Sequence, residues 1–332
     1  MSGQRLTLPV LLLGATTLAA MVPAGSASAQ SDTAPPQLRP VGAAIAPLPP
    51  PVRVPAPPAT GAMPNVATRG TAADVAALAA QMRRDLGGVL VADDARARHR
   101  AVALASRMLA ASNTEITVPQ VVLVVDRAEA VQRLWVAVAY PDAKVWDVVG
   151  AVKVSTGKPG RAEHFRTPLG VFTNGTDVLG YRAQGTFNEN HIRGIGIKGM
   201  RVWDFGWQTT EDWRKSGAVT AVRMQMHATD PDALEPRLGR WDSAGCIRIP
   251  TRFNSFVDRM GLIDAQQRAA AADSRALAAL LPKDATPTPL AGDKLVVVDS
   301  SAPDAPVSDP ARALEIQQSY DAFLRKRLET AP

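Results

Sequence analysis

The chain has a single cysteine, Cys246, within Ser243-Ala244-Gly245-Cys246-Ile247-Arg248, nineteen residues after His227. Thiolate is the reactive form of cysteine, so a working cysteine needs a group that takes its proton near neutral pH. An imidazole within hydrogen-bond reach does this. Four histidines are available: His99, His164, His191 and His227. His99 sits in an arginine-rich helical pattern, and His164 and His191 sit in loop-like stretches. His227 ends an alternating run, and the loop after it leads directly to Cys246. His227 is therefore the candidate general base, with His191 second. Gly245 has no Cβ and allows close approach to a substrate carbonyl. The amides around Ala244, Gly245 and Cys246 are candidate oxyanion donors, those of Gly245 and Cys246 foremost. Arg248 carries a planar fork, suited to a substrate carboxylate or to bracing its own loop. Ser243 is read mainly as a loop-bonding side chain. The bland alternatives are a small buried hydrophobe for Cys246 and a satisfied half-buried ring for His227.

The elements that must position these groups are mostly strands. Val121-Val122-Leu123-Val124-Val125 predicts a strand over 120–126, with 130–140 as its hairpin partner. Residues 145–156 predict a further strand pair or one bent strand, closed by the turn cluster Gly157-Lys158-Pro159-Gly160. In 219–227, Val222, Met224 and Met226 alternate with Arg223, Gln225 and His227. Leu295 to Val298 predicts one short late strand. Helical patterns flank this centre: 72–86 and 94–111 before it, 253–261, 264–281 and 309–328 after it. The first two suit an antiparallel helical pair. Trp203, Trp207, Trp213 and Trp241 cluster ahead of Cys246 and suit either core packing or the wall of a cleft.

The ends suggest a compartment. Arg5 precedes an apolar run, Leu6 to Val22, that leads into Ala27-Ser28-Ala29, a small-x-small cleavage pattern. The expectation is a signal peptide over 1–29, export to a periplasm or cell wall, and no transmembrane span after cleavage. A Pro/Ala-rich linker over 30–68 reads as an extended tether. Then follow a helical segment over 69–116, a catalytic domain over 117–262 and a helical extension over 263–332. The formal charge is +6. The lysines and arginines are spread along the chain, which with export argues against nucleic acid and suits an anionic envelope polymer. A lone cysteine in an oxidising compartment has no partner within its chain, which favours a working thiol.

The spacing His227-x15-Ser243-Ala244-Gly245-Cys246-Ile247-Arg248 resembles the signature of the L,D-transpeptidase (YkuD-type) catalytic domain. Thr167-Pro168-Leu169-Gly170-Val171-Phe172 resembles that family's Thr-Pro-x-Gly-x-Phe turn, and Val154-Ser155-Thr156-Gly157-Lys158 the strand end before it. The resemblance covers residues 118–260. It implies a mainly β fold, a two-sheet sandwich with helical N- and C-terminal flanks. It implies that Cys246 attacks an L-centre–D-centre amide in a peptidoglycan stem peptide and forms a thioester. The amine of a second stem then resolves that thioester into a cross-link. No metal or cofactor is implied, and carbapenems are expected to acylate the thiol. The usual signature has His where this chain has Ala244, and Ala228 offers no polar side chain to orient His227. Two alternatives stand beside this reading: a cysteine peptidase that hydrolyses stem peptides, and a non-catalytic wall-binding protein on the same scaffold.

Overall fold

The computed structural model describes residues 72–141 and 146–329, with side chains through Arg325. The expected signal peptide and Pro/Ala-rich tether lie outside these residues. The strand β1 (Gln120–Asp126) is buried from Val121 to Asp126. Successive strand residues point to opposite faces. Val121, Leu123 and Val125 enter one core cluster, and Val122 and Val124 enter another. A strand covered on both faces has no polar side, which explains its unbroken apolar run. Each fully buried Val or Leu side chain contributes about 1.5–3 kcal/mol.

Two sheets form. The first pairs β1 with β2 (Arg133–Ala139) and β3 (Asp147–Lys153) on one side. On the other side lie β9 (Lys294–Val298) and then β4 (Gly170–Thr173). The second sheet runs β5 (Tyr181–Arg182), β6 (Arg201–Glu211), β7 (Val219–Ala228) and β8 (Ile247–Ile249). The pairings β1–β9 and β7–β8 are parallel and the rest antiparallel. Trp203 and Phe205 of β6, Met224 and Met226 of β7, and Ile247 and Ile249 of β8 meet the odd-numbered β1 side chains in the core between the sheets. The architecture is the expected sheet-rich middle with helices towards both ends, and among the described residues helix is more plentiful than strand.

The two leading helices do not form the expected pair. Leu78, Met82 and Leu86 of α1 (Ala72–Leu86) enter the core between the sheets. Ala101, Leu104, Ala105 and Leu109 of α2 (Ala95–Ala111) cover the other face of the five-stranded sheet. Each helix has an apolar stripe, and sheet faces offer more apolar surface than another short helix does.

The C-terminal stretch expected as a helical extension supplies more than helix. After α3 (Thr251–Met260), the single helix expected over 264–281 is two short ones, α4 (Ala265–Ala270) and α5 (Arg275–Leu280). Ser274 Oγ accepts from Leu277 N at 3.3 Å and starts the second. β9 then inserts between β1 and β4, so residues beyond 262 complete the first sheet. The chain closes with α6 (Pro310–Glu329), packed on β6 and β7. Among the described residues no helix is long and apolar enough to cross a membrane.

Candidate active site

Alternation along β7 sends Val222, Met224 and Met226 inward and Arg223, Gln225 and His227 to the outer face of the four-stranded sheet. On β8, Ile247 and Ile249 point inward, which puts Cys246 and Arg248 on the outer face. The strands run parallel with His227 opposite Arg248 and Met226 opposite Ile247. One row back, Cys246 stands level with Gln225. Cys246 and His227 are therefore diagonal neighbours on one face, and Arg223 lies on the side of Cys246 away from His227. The antiparallel partner β6 sets Val202 opposite His227 and Asp204 opposite Gln225.

His227 is 4% exposed. Its Nδ1 lies 2.6 Å from the Ala228 carbonyl oxygen. A carbonyl only accepts, so Nδ1 bears the proton and Nε2 keeps its lone pair. This bond is the orienting contact that no nearby polar side chain supplied. Burial pulls the imidazole pKa down to about 4; the Ala228 bond opposes this and the Arg248 charge adds to it. Cys246 is half-buried, and its Sγ lies 4.0 Å from the Arg223 carbonyl oxygen. Burial pushes the thiol up to about 11, against the pull of a backbone hydrogen bond from Gln225 and of the Arg248 charge. Both groups are neutral at pH 7. Among the described residues no hydrogen bond joins Sγ to the imidazole, so the expected pair is assembled side by side but not bonded.

The loop before β8 is held from several directions. Ser243 Oγ donates to the Cys246 carbonyl at 2.6 Å and accepts from Gly245 N at 3.2 Å. Ser243 thus has the loop-bonding role read for it. Its bond occupies the Gly245 amide, which leaves the Cys246 amide as the other expected oxyanion donor. Gly245 has φ +142, a conformation that side chains rarely adopt. The Ala244 carbonyl accepts from Phe165 N at 3.2 Å, and the Ser243 carbonyl from Lys158 N at 2.9 Å. Arg248 and Ser155 exchange backbone hydrogen bonds of 3.0 and 2.9 Å. A Cβ on Gly157 would lie 1.9 Å from the Phe165 carbonyl oxygen, so only glycine fits there.

Thr167 connects these strands. Its Oγ1 accepts from Gly157 N at 2.9 Å and donates to the Cys246 carbonyl at 3.5 Å. Its own carbonyl accepts from Arg127 Nη1 at 2.6 Å. Arg127 is buried beyond the end of β1 and pairs with Asp299 at 3.0 Å and with Glu211. The Thr167-Pro168 turn, expected as architecture, leads into β4 at Gly170.

Arg248 is committed to its own loop. Its Nη1 pairs with Asp242 Oδ2 at 3.0 Å, and Asp242 Oδ1 also receives Arg237 Nη2 at 2.5 Å. Of the other histidines, His99 is exposed on α2. His164 is buried, with Nδ1 2.9 Å from the Ala162 carbonyl. His191 is exposed, with its ring edge-on to Phe187 at 6.5 Å, and among the described residues no hydrogen bond or ring contact ties it to the Cys246 loop. Of the four tryptophans ahead of Cys246 only Trp203 is core, with Nε1 donating to Asp264 at 3.0 Å. Trp207 is half-buried, Trp213 is exposed and bonded to the His164 carbonyl, and Trp241 carries the Arg166 guanidinium 4.7 Å from its ring centre. No group of three or more His, Cys, Asp or Glu among the described residues is placed to hold a metal ion.

A polar cluster beside Cys246 escapes the sequence reading. Arg223 Nε donates to both Asp204 oxygens, at 2.9 and 3.0 Å. Gln225 Nε2 donates to Asp204 Oδ2 at 2.8 Å, and Tyr181 Oη donates to Gln225 Oε1 at 3.4 Å. The alternation of 219–227 already set Arg223 and Gln225 on the His227 face. Nothing marked Asp204, because the strand that carries it was not foreseen.

No family model matches this chain, and no curated protein matches it. Among solved structures it is similar to the fused Zn-dependent amidase/peptidase/peptidoglycan-binding domain-containing protein from Clostridium acetobutylicum ATCC 824, at 13% identity and a TM-score of 0.23. That match covers 63% of this chain and 65% of the other, just under two thirds of its length.

Proposed function

We propose that the protein is a cysteine acyl-transfer enzyme, an exported L,D-transpeptidase that acts on peptidoglycan stem peptides. The observation that supports this best is the shared face of Cys246 and His227 on adjacent parallel strands, with Nδ1–H tied to Ala228 and the Nε2 lone pair left available. The motif resemblance supplies the substrate.

In this reading Sγ leaves the Arg223 carbonyl and turns towards Nε2 by side-chain rotation. As Sγ bonds to the donor's amide carbon, its proton passes to His227 Nε2. The Cys246 N–H faces the oxyanion. The carbon–nitrogen bond then breaks, and Nε2 returns the proton to the departing amine. The product is a thioester on Cys246. The amine of a second stem attacks it, loses a proton to Nε2, and expels the thiolate, which takes that proton back. Water in place of the amine gives hydrolysis. The neutral resting pair suits this concerted route, because a stable thiolate–imidazolium pair is disfavoured by burial of both groups.

Intact-protein mass after incubation with a carbapenem tests the reading. Wild type should gain one drug mass, and Cys246→Ser and His227→Ala should not. A second reading, wall binding without turnover, is favoured by the unbonded thiol and by Ala244. A folded wild type that gains no mass and sediments with purified sacculi would replace the first reading with the second.

A further inference from the structure

Two arginines flank the candidate nucleophile on the outer face, and they differ in what they have left to offer. Arg248 is 13% exposed at its side chain and is held by Asp242. Arg223 is 43% exposed and is held at Nε alone by Asp204, which is 5% exposed. Among the described residues no hydrogen bond engages Nη1 or Nη2 of Arg223, and its backbone carbonyl oxygen lies 4.0 Å from Cys246 Sγ. Asp204 therefore works from below the surface, fixing the guanidinium plane from its Nε side and leaving the two Nη groups outward. Gln225 and Tyr181 brace Asp204 in turn. A planar fork fixed in this way is preorganised for a carboxylate, which it grips through two parallel N–H···O bonds.

We infer that Arg223, positioned by Asp204, seats a carboxylate of the acyl donor beside Cys246. This deepens the proposed acyl transfer and rests on it for the identity of the donor. It also moves the carboxylate-binding role from Arg248, where the sequence placed it as one of two options, to Arg223. Cys246 then lies between a seat for negative charge and the imidazole that moves the proton. A donor whose cleaved D residue ends in a free carboxylate would be held on the Arg223 side, with its scissile carbonyl over the thiol. Asp204 is a positioning residue here, since it touches Arg223 and not the donor.

The test uses equilibrium binding to the Cys246→Ala protein, with acetyl-L-alanyl-D-alanine and its C-terminal carboxamide as probes. The carboxylate form should bind at least tenfold tighter than the amide at low salt. That preference should shrink as salt rises, because Arg223 is solvent-facing. Arg223→Gln should bring the two probes to equal affinity, and Arg223→Lys should keep a reduced preference, which controls for folding. Asp204→Asn should weaken the preference without abolishing it. Retained preference in Arg223→Gln, loss of it only in Arg248→Gln, or no preference in the parent protein would each overturn the inference. No chemistry at Cys246 is involved, so this outcome is independent of whether a carbapenem adduct forms.

Discussion

The Nδ1–H of His227 donates to the carbonyl of its own chain neighbour, Ala228, at 2.6 Å. A backbone acceptor fixes the tautomer that leaves the lone pair on Nε2, as a carboxylate would, but adds no negative charge. The bond favours the imidazolium, but burial outweighs it and holds the ring at a pKa of about 4.

The pH dependence of thiol acylation follows from this. The imidazole should accept a proton from neutral pH down to about 4, and the rate should fall below that as it protonates. Towards pH 11 the rate should rise again as the thiolate forms without help. His227→Ala should lose the plateau and keep the alkaline rise. Adduct formation followed by mass across pH 3–11 checks the pattern (~ the range bounded by the two groups).

The same burial has a stability consequence. The folded pKa of His227 lies below the unfolded value, so the folded state binds the proton less well than the unfolded chain. Its contribution is fully present above pH 6.5 and is lost as the pH falls through 4, an effect of about 3 kcal/mol in total. His227→Asn, which keeps a donor near Ala228, should flatten the stability curve in that window. Urea denaturation at pH 7, 5.5 and 4 measures it.

Ser243→Ala should loosen the loop that carries Cys246. It removes the donor to the Cys246 carbonyl and the acceptor for Gly245 N. The cost in stability should be about 1–3 kcal/mol, the price of leaving loop groups unpaired. Thr167→Val should act on the same carbonyl from the other side and also orphan Gly157 N. The double variant should cost more than the sum of the two, because either hydroxyl alone still serves Cys246 O and only their joint loss leaves it unpaired, and a double-mutant cycle on denaturation midpoints would show that coupling.

Arg127→Met should be the most damaging single change outside the site. It takes from Asp299, whose side chain is fully buried, the nearer of its two arginines, leaving only Arg166 at 3.6 Å, and it frees the Thr167 carbonyl. A loss of about 3–5 kcal/mol is expected. Arg127→Met with Asp299→Leu should recover part of it. An equal loss in the single and double variants would show that the ion pair itself is not what Arg127 contributes.

A chain ending at residue 262 should not fold cooperatively. It lacks β9, and without β9 the edge of β1 is bare and β4 has no partner. Circular dichroism with thermal melting on 72–262 and 72–329 distinguishes the two lengths. A sharp transition in the shorter chain would contradict this.

Much of the sheet layout was legible because its signals are local. The unbroken run of β1 and the alternation of β7 are periodicities of the strand itself, and the second correctly put Arg223, Gln225 and His227 on one face. β6 was not legible. Its register shifts between Asp204 and Trp207, where Gly206 takes φ +76, and buried Arg201 and Asp204 look like surface residues. β9 was recognisable as a strand, but its place between β1 and β4 depends on partners more than a hundred residues away (roughly, by chain order), which periodicity does not encode. The nearness of Cys246 and His227 on one sheet face was legible from motif spacing. The Asp204–Arg223 contact was not, since it joins a foreseen strand to an unforeseen one.

The insertion of β9 between β1 and β4 also sets an order in time. β4 follows the Thr167-Pro168 turn, and Thr167 and its partner Arg127 brace the carbonyl of Cys246. Arg127 in turn needs Asp299, just past β9. A chain emerging from its N-terminus exposes Cys246 well before these last partners exist. The thiol loop is thus among the last parts to reach its final shape, and a nascent or cut chain carries Cys246 without the frame that positions it.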